Sequence, residues 1–155
     1  MTPSPTGLLA APDDVARLGA RIAARLRAGE AVCLYGPLGA GKSTLARGLI
    51  RALTTPDEDV PSPTFTLVQF YDGPEFPVAH FDLYRLTRPD EAFELGLDEA
   101  LDDGAAVIEW PERLGQAGLP PDRLDVELSA PPEGGRRARL TGQGAWIGRT
   151  EDLLP

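Results

Sequence analysis

The sequence predicts an α/β fold, in which helices cover both faces of a central, mostly parallel sheet with antiparallel edge strands. Three observations support this prediction. Two short apolar runs, AVCLY (31–35) and AAVIEW (105–110), have the composition of buried strands. Helical and strand patterns alternate over the first part of the chain, as they do in parallel sheets. Later segments form hairpin patterns, which place antiparallel strands at one side of the sheet.

The first third of the chain alternates helix, strand and helix. Residues 12–29 predict an amphipathic helix, because apolar side chains recur at three- and four-residue spacing: Val15, Leu18, Ile22 and Leu26. Asp13 or Asp14 can cap its start, and Gly29 can end it. A buried strand and a second helical pattern follow, at 30–36 and 43–53.

The remaining elements are mostly strands. A polar loop that contains proline leads to two strand patterns joined by a short turn, which predict a hairpin over 64–71 and 78–86. The helical segment that follows (88–104) is expected to break near Gly96. After AAVIEW, a short helix is expected to begin at Pro111, since proline suits a first turn. Two late strand patterns flank the turn PPEGG, at 122–130 and 136–144.

The length of 155 residues is that of one ordinary domain. We expect a mobile N-terminal segment at 1–12, the domain at 13–142 and a C-terminal tail at 143–155. The single cysteine, Cys33, lies in an apolar run and is expected to be a buried strand residue, in keeping with a reducing compartment. No apolar stretch is long enough to span a bilayer and no secretory signal is recognisable, so a cytoplasmic location is expected.

The formal net charge of −9 argues against direct binding to nucleic acid. Such a surface repels the phosphate backbone instead of attracting it. A role in nucleic-acid metabolism would therefore have to depend on a protein partner.

The clearest motif is GPLGAGKST, at residues 36–44. Gly36, Gly41, Lys42 and Ser43 satisfy the pattern G-x-x-x-x-G-K-[ST], with a strand pattern before it and a helical pattern after it. In such a loop, backbone N–H groups and the start of the helix face phosphate oxygens. Lys42 can neutralise the β- and γ-phosphates, and the Ser43 hydroxyl can bind Mg²⁺. Lys42 is also the one lysine among 15 basic residues. We therefore expect a single P-loop NTPase-like domain.

A Mg²⁺–nucleotide site also needs an acid at the end of a neighbouring apolar strand. AAVIEW supplies Glu109, which stands where aspartate is more usual. Glu112 is the alternative, although it is more typical of a solvent-facing helix residue. Trp110 can pack against the core or the rim of the site, or report on its occupancy.

Several classes of phosphate-loop protein do not fit the sequence. The chain contains no asparagine, so the N-K-x-D motif of guanine-specific GTPases is absent and adenine is the better candidate base. There is no room for the further helical domain of AAA-type ATPases. Arg85 and Arg88 could belong to the lid of a small-molecule kinase, but no long lid insertion is visible. Candidate contacts to the base are Arg136, Arg137 and the segment 12–14.

Two further stretches are distinctive. SPTFTLVQFY (62–71) places hydroxyl groups where a γ-phosphate-sensing loop can lie, or where they cap a loop. HFDLYRL (80–86) places His80, Asp82 and Tyr84 on one side of a strand, since alternate residues share a face. Asp82 can orient an attacking water or the waters around Mg²⁺. His80 by itself is expected to be structural, and the alternative to a functional role for this stretch is a structural hydrogen-bond cluster of His80, Asp82 and Arg85.

Five segments together resemble the TsaE (YjeE) family of bacterial P-loop ATPases. They occur in the order and spacing of that family, over about residues 13–142: GPLGAGKST, SPTFTLVQFY, HFDLYRL, ELGLDE and VIEWPER. Family loops often read GDLGAGKT, so Pro37 removes an acid and a backbone N–H, whereas Ser43 is chemically equivalent to threonine for Mg²⁺.

The resemblance implies an ATPase that acts with TsaB, TsaC and TsaD in forming N6-threonylcarbamoyladenosine beside the anticodon of tRNAs. It would bind the TsaB–TsaD pair, be monomeric outside that complex and meet tRNA only through its partners. Ser43 and Glu109 would bind Mg²⁺, Thr64 would lie in the switch-like loop and Asp82 would serve hydrolysis. The phosphates would be held by a run of six residues: Gly39, Ala40, Gly41, Lys42, Ser43 and Thr44. The alternatives are a nucleotide-gated interaction module with incidental hydrolysis and a small-molecule kinase.

Overall fold

A computed structural model of the protein describes residues 4–63 and 66–154. Within these residues, one sheet contains seven strands: β1 (Thr6–Leu9), β2 (Ala31–Tyr35), β3 (Val68–Asp72), β4 (Pro77–Asp82), β5 (Ala105–Glu109), β6 (Arg123–Ser129) and β7 (Arg136–Gln143). Their spatial order is β1-β7-β6-β2-β5-β4-β3. The predicted single α/β domain with a mostly parallel central sheet is therefore confirmed.

The four central strands β6, β2, β5 and β4 run parallel. Antiparallel strands lie at both edges of the sheet: β3 pairs with β4, while β7 pairs with β6 and β1 with β7. The expectation of antiparallel strands at only one side was wrong, because β6 itself joins the parallel centre beside β2. The hairpin that it forms with β7 then extends the edge opposite β3.

Five α-helices occur in the described residues: α1 (Pro12–Ala23), α2 (Lys42–Leu53), α3 (Asp90–Glu94), α4 (Leu97–Asp103) and the single turn α5 (Gly115–Gly118). 3-10 helices cover Pro111–Leu114 and Gly144–Trp146. The predicted break at Gly96 is confirmed, since its φ of 94° separates α3 from α4. α1 ends at Ala23, earlier than predicted. None of the helices in the described ranges is long and apolar enough to cross a membrane.

The two faces of the sheet carry separate apolar cores. α1 and α2 cover one face, with Leu18, Ile22 and Leu49 fully buried there. α3, α4 and the 3-10 helix at Pro111–Leu114 cover the other face, where Cys33 is buried as predicted, and burial raises the pKa of its thiol. Helices therefore lie on both faces, and α2 packs against one of them with its first turn at the cavity beside the carboxyl ends of the strands.

The segments flanking the predicted domain pack against it. Residues 6–9, which we expected in a mobile N-terminal segment, instead form β1 and extend the sheet by pairing with β7. In the predicted C-terminal tail, Trp146 and Leu153 are buried. Arg149 in that tail donates to the buried carboxylate of Glu30 through its two terminal guanidinium nitrogens, Nη1 and Nη2, at 2.7 and 3.1 Å. The limits of the domain itself stay a prediction.

Candidate functional site

A cavity of about 630 Å³ opens at the carboxyl ends of the parallel strands. Ligands of open parallel α/β sheets usually bind at this edge. The phosphate-loop segment, the end of β4 and the end of β5 all contribute to its lining, with residues that include Gly39, Gly41, Lys42, Ser43, Thr44, Asp82 and Glu109. The topology thus brings together motifs that lie far apart in the sequence.

The glycine-rich loop connects β2 directly to α2. Gly41 has a φ of 107°, in a region that side chains other than that of glycine rarely adopt, and α2 begins at the next residue. Ala40 is buried and donates its N–H to the carbonyl of Pro37, which tightens the turn. The first turn of α2, with Lys42, Ser43 and Thr44, faces the cavity. A helix start in this position favours an anion.

Lys42 is buried at the floor of the cavity. Its Nζ donates to the carbonyl oxygen of Gly36 at 2.6 Å and lies 3.5 Å from the ring centroid of Trp110. Burial lowers the pKa of the Lys42 ammonium, and the negative charges of nearby carboxylates oppose this shift. The two close partners of the ammonium, a backbone carbonyl and an aromatic ring, carry no charge, so anionic phosphate oxygens can replace them.

Ser43 and Glu109 meet across the end of the sheet. The Ser43 Oγ donates to Oε1 of Glu109 at 3.2 Å, and the other carboxylate oxygen, Oε2, lies 2.7 Å from Nε2 of His80. Glu109 is almost fully buried although it is an acid. No cluster of three or more His, Cys, Asp or Glu side chains suited to a metal occurs in the described ranges. A Mg²⁺ site on a bound nucleotide does not need one, since phosphates and water supply most of its ligands.

Asp82 lies directly beside Glu109 in the parallel pairing of β4 and β5. Its Oδ1 accepts a hydrogen bond from the backbone N–H of Tyr84 at 3.1 Å. Burial raises the pKa of the Asp82 carboxyl; the Tyr84 N–H opposes this shift and the negative charge of Glu109 adds to it. Two carboxylates with different surroundings therefore share one edge of the cavity.

The opposite side of the loop is more apolar. The cavity continues along the turn between β1 and α1, past Leu9, Pro12 and Val15, and reaches Arg136 at the start of β7. Nη2 of Arg136 donates to the carbonyl of Gly39 at 3.1 Å, which fixes the guanidinium against the loop. Of the residues suggested for base contact, Pro12 and Arg136 line this region, whereas Arg137 pairs with Glu133.

Other predicted residues are placed as follows. Ser62 and Arg85 line the cavity, while Glu112, the alternative acid, is exposed. Thr64 lies outside the described residues, so its role in a switch-like loop stays a prediction. Arg88 forms ion pairs with Asp90 and Glu91.

Two contacts in the site were not foreseen from the sequence. Trp110 adopts a left-handed backbone with a φ of 61°, which turns its ring over Lys42 and against Tyr84, at a centroid distance of 4.9 Å. This conformation is strained for a bulky residue and is held by its surroundings. The second contact joins His80 to Glu109. Its sequence signal is only that both residues lie near the ends of apolar strand patterns.

Comparison with known proteins identifies relatives over most of the chain. The family described as "Threonylcarbamoyl adenosine biosynthesis protein TsaE" matches residues 9–138. A "tRNA threonylcarbamoyladenosine biosynthesis protein TsaE" from Streptomyces coelicolor is 47% identical, covering 72% of this chain and 76% of its own length. The protein of that name from Rickettsia bellii is 35% identical, covering 88% and 94%.

A solved structure has the same fold. The crystal structure of Bacillus subtilis YdiB superposes with a TM-score of 0.79 at 28% sequence identity, covering 99% of this chain and 95% of that one. The agreement therefore extends to the N-terminal strand and the C-terminal segment. From the family match and these relatives, we conclude that the chain belongs to the TsaE family of tRNA threonylcarbamoyladenosine biosynthesis proteins.

Proposed function

We propose that the protein binds ATP with Mg²⁺ and hydrolyses it in support of tRNA threonylcarbamoylation. One observation carries the proposal: Lys42, the Ser43–Glu109 pair and Asp82 face a single cavity at the start of α2. These are the groups that phosphoryl transfer needs, because its catalysis consists mainly of positioning and charge neutralisation.

In this proposal the loop and Lys42 hold the phosphates. The Lys42 ammonium exchanges the Gly36 carbonyl and the Trp110 ring for phosphate oxygens. Backbone N–H groups of the loop and the first turn of α2 add hydrogen bonds and the positive end of the helix dipole. The apolar side of the cavity, from Leu9 to Val15 and Arg136, is the place for the base and sugar.

Ser43 and Glu109 fit a Mg²⁺ site. A hydroxyl and a buried carboxylate already lie within hydrogen-bond distance of each other, and oxygen atoms are the ligands that Mg²⁺ prefers. When bound, the ion neutralises charge on the β- and γ-phosphate oxygens. Ser43 Oγ and Glu109 Oε1 are the atoms that would hold it.

Asp82 is proposed to orient the attacking water. It lies beside Glu109 in the sheet and its Oδ1 is fixed by the Tyr84 N–H, so its other oxygen atom, Oδ2, can accept a hydrogen bond from water. The carboxylate must be ionised for this role, because a protonated carboxyl group carries a hydrogen on one oxygen and that oxygen then acts as a donor. Because burial raises the pKa of Asp82, hydrolysis should begin to fail at a higher pH than for an ordinary carboxyl group.

The partners proposed for the protein are TsaB and TsaD, with tRNA met only through them. The net charge of −9 supports this arrangement, since the chain would repel tRNA on its own. Measuring ADP release from the protein alone, with the TsaB–TsaD pair and with candidate small acceptors distinguishes the possibilities. Stimulation by the pair supports the proposal. A phosphorylated acceptor would indicate a kinase. Intact tRNA modification with a hydrolysis-dead Asp82→Asn variant would indicate a nucleotide-gated interaction module.

Nucleotide binding is tested by Lys42→Ala. We expect calorimetry to detect no ATP binding by this variant, because the ammonium that neutralises the phosphates is removed. Arg47→Ala is the matched control, since it removes one positive charge from the same helix at a residue that does not line the cavity. ATP affinity undiminished in Lys42→Ala would contradict the proposed site.

The metal-binding acid is tested by Glu109→Ala. We expect Mg²⁺-dependent hydrolysis to be lost while thermal unfolding remains cooperative. Glu112→Ala is the control, because Glu112 is an exposed acid three residues further along the chain. Hydrolysis at the parental rate in Glu109→Ala together with loss in Glu112→Ala would transfer the role to Glu112.

A further inference from the structure

We propose that His80 is a positioning residue that holds Glu109 in the orientation needed to bind Mg²⁺. The inference rests on the proposed nucleotide–Mg²⁺ function and assigns a role to a residue outside the cavity lining. It begins from a chain of three side chains in the described structure: His80, Glu109 and Ser43.

The two oxygen atoms of Glu109 have different partners. Oε2 lies 2.7 Å from Nε2 of His80, and Oε1 lies 3.2 Å from Oγ of Ser43. The His80–Glu109 contact is short and closed off from solvent, since the two side chains are only 1% and 4% exposed. The Ser43 contact is longer and opens onto the cavity. His80 therefore fixes one oxygen and leaves the other directed at the site.

The sheet explains why histidine can make this contact. His80 pairs with Val107 in the parallel register, two residues before Glu109, so only a long side chain can reach along the strand to the carboxylate. Nδ1 of His80 is buried and has no hydrogen-bond partner among the described residues. An ionised carboxylate can only accept, so the 2.7 Å contact requires a hydrogen on Nε2, which Oε2 of Glu109 accepts.

Removing the Nε2 donor leaves a buried carboxylate oxygen without its partner. Such an oxygen loses its hydrogen bond without gaining water, so the carboxylate turns towards other donors. Changes to the outer partners of metal ligands typically lower metal affinity by about 10- to 100-fold. We expect a loss of this size in the Mg²⁺-dependent part of nucleotide binding, and little change in the part that does not need Mg²⁺.

Three substitutions separate positioning from packing. His80→Leu removes the donor and replaces the ring with an apolar side chain of similar size. His80→Gln keeps a donor, because its amide nitrogen is the same number of bonds from Cβ as Nε2. His80→Asn is equally polar, but its amide nitrogen corresponds to Nδ1 and cannot reach Glu109. Gln69→Leu is the matched control, since Gln69 lies opposite His80 on β3 and hydrogen-bonds Thr66 instead.

The affinity for ADP is measured by calorimetry, once with saturating Mg²⁺ and once with EDTA. With Mg²⁺ we expect His80→Leu and His80→Asn to lose affinity for ADP by about 10- to 100-fold, and with EDTA we expect both variants to keep the parental affinity. His80→Gln and Gln69→Leu should keep the parental affinity under both conditions. If His80→Leu does not fold, the Gln and Asn variants alone decide the question.

Several results would overturn the inference. Equal losses in His80→Gln and His80→Asn, equal losses with and without Mg²⁺, or unfolding of all three variants would assign His80 to packing. Parental affinities in His80→Leu and His80→Asn would remove any role in the metal site. Failure of the proposed function is recognised separately, because the parent protein would then bind no ADP or bind it without regard to Mg²⁺.

Discussion

Removing Arg149 from its buried ion pair with Glu30 should lower the stability of the protein substantially. Arg149 donates to both carboxylate oxygens of Glu30, its guanidinium lies 4.2 Å from the ring centroid of Trp146, and it also donates to the carbonyl of Arg25. The side chain of Glu30 is only 7% exposed. Arg149→Ala therefore leaves a buried carboxylate without its positive partner.

The structure allows the size of this effect to be worked out. Removing one partner of a buried ion pair costs about 3–5 kcal/mol. Glu30 keeps one hydrogen bond, from the backbone N–H of Arg27 at 3.0 Å, which favours the lower end of that range. A loss of about 3 kcal/mol corresponds to a Tm lowered by roughly 6–12 °C, since each kcal/mol shifts the Tm of a chain of this length by about 2–4 °C.

Urea and thermal unfolding of the nucleotide-free protein test this prediction. Arg137→Ala is the matched control: Arg137 pairs with Glu133 at 3.2 Å, but the two side chains are 50% and 59% exposed. Exposed pairs contribute about 0–1 kcal/mol, so this control should change stability little. Equal effects of the two substitutions, or a loss below about 1 kcal/mol in Arg149→Ala, would refute the reasoning from burial.

Three further predictions concern the site and the helix packing beneath it. Burial gives Asp82 a raised pKa in the folded state, so its contribution to stability falls as the pH rises through the window between the unfolded and folded pKa values. Asp82→Asn should therefore raise the Tm at neutral pH while hydrolysis is lost; a lower Tm would contradict this. In a Trp146→Phe background, ADP with Mg²⁺ should change the fluorescence of Trp110, because the phosphates recruit the ammonium that lies 3.5 Å from its ring; unchanged emission at saturation would count against it. Gly48→Ala would place a Cβ 2.3 Å from the carbonyl oxygen of Ala16 in α1. Overpacking should therefore lower the free energy of unfolding by about 1–3 kcal/mol, seen as a lower urea midpoint. A parental midpoint would contradict this and show that α1 moves away at no cost.

Apolar patterns and glycine positions were sufficient to predict the centre of the fold. AVCLY and AAVIEW are buried parallel strands that lie next to each other, as two short apolar runs in an alternating chain should be. The break at Gly96 was also predictable, since only a residue free to adopt positive φ separates two short helices so abruptly. These features depend on local composition and are therefore visible in one sequence.

The edges of the sheet were less predictable because they depend on pairing between distant residues. TGLL at 6–9 is too short to predict a strand by itself, yet it becomes one because β7 offers an unpaired edge. Likewise, the segment after Gln143 has a weak local pattern. It is fixed by Arg149, whose partner Glu30 lies 119 residues earlier in the chain.

The same distinction explains which parts of the site could be predicted. The phosphate loop follows β2, and Asp82 and Glu109 are the last residues of β4 and β5. Parallel strands in one sheet end at the same edge, so the meeting of these groups follows from topology. The contact between Trp110 and Lys42 does not follow from topology, because it depends on a left-handed φ at a residue that ordinarily avoids it. The His80–Glu109 contact lies between these cases: neighbouring strands and register place the residues within reach, and side-chain length decides the rest. Because side-chain length decides this contact, replacing His80 by glutamine or asparagine is the sharpest test of how the carboxylate that we propose as a Mg²⁺ ligand is held.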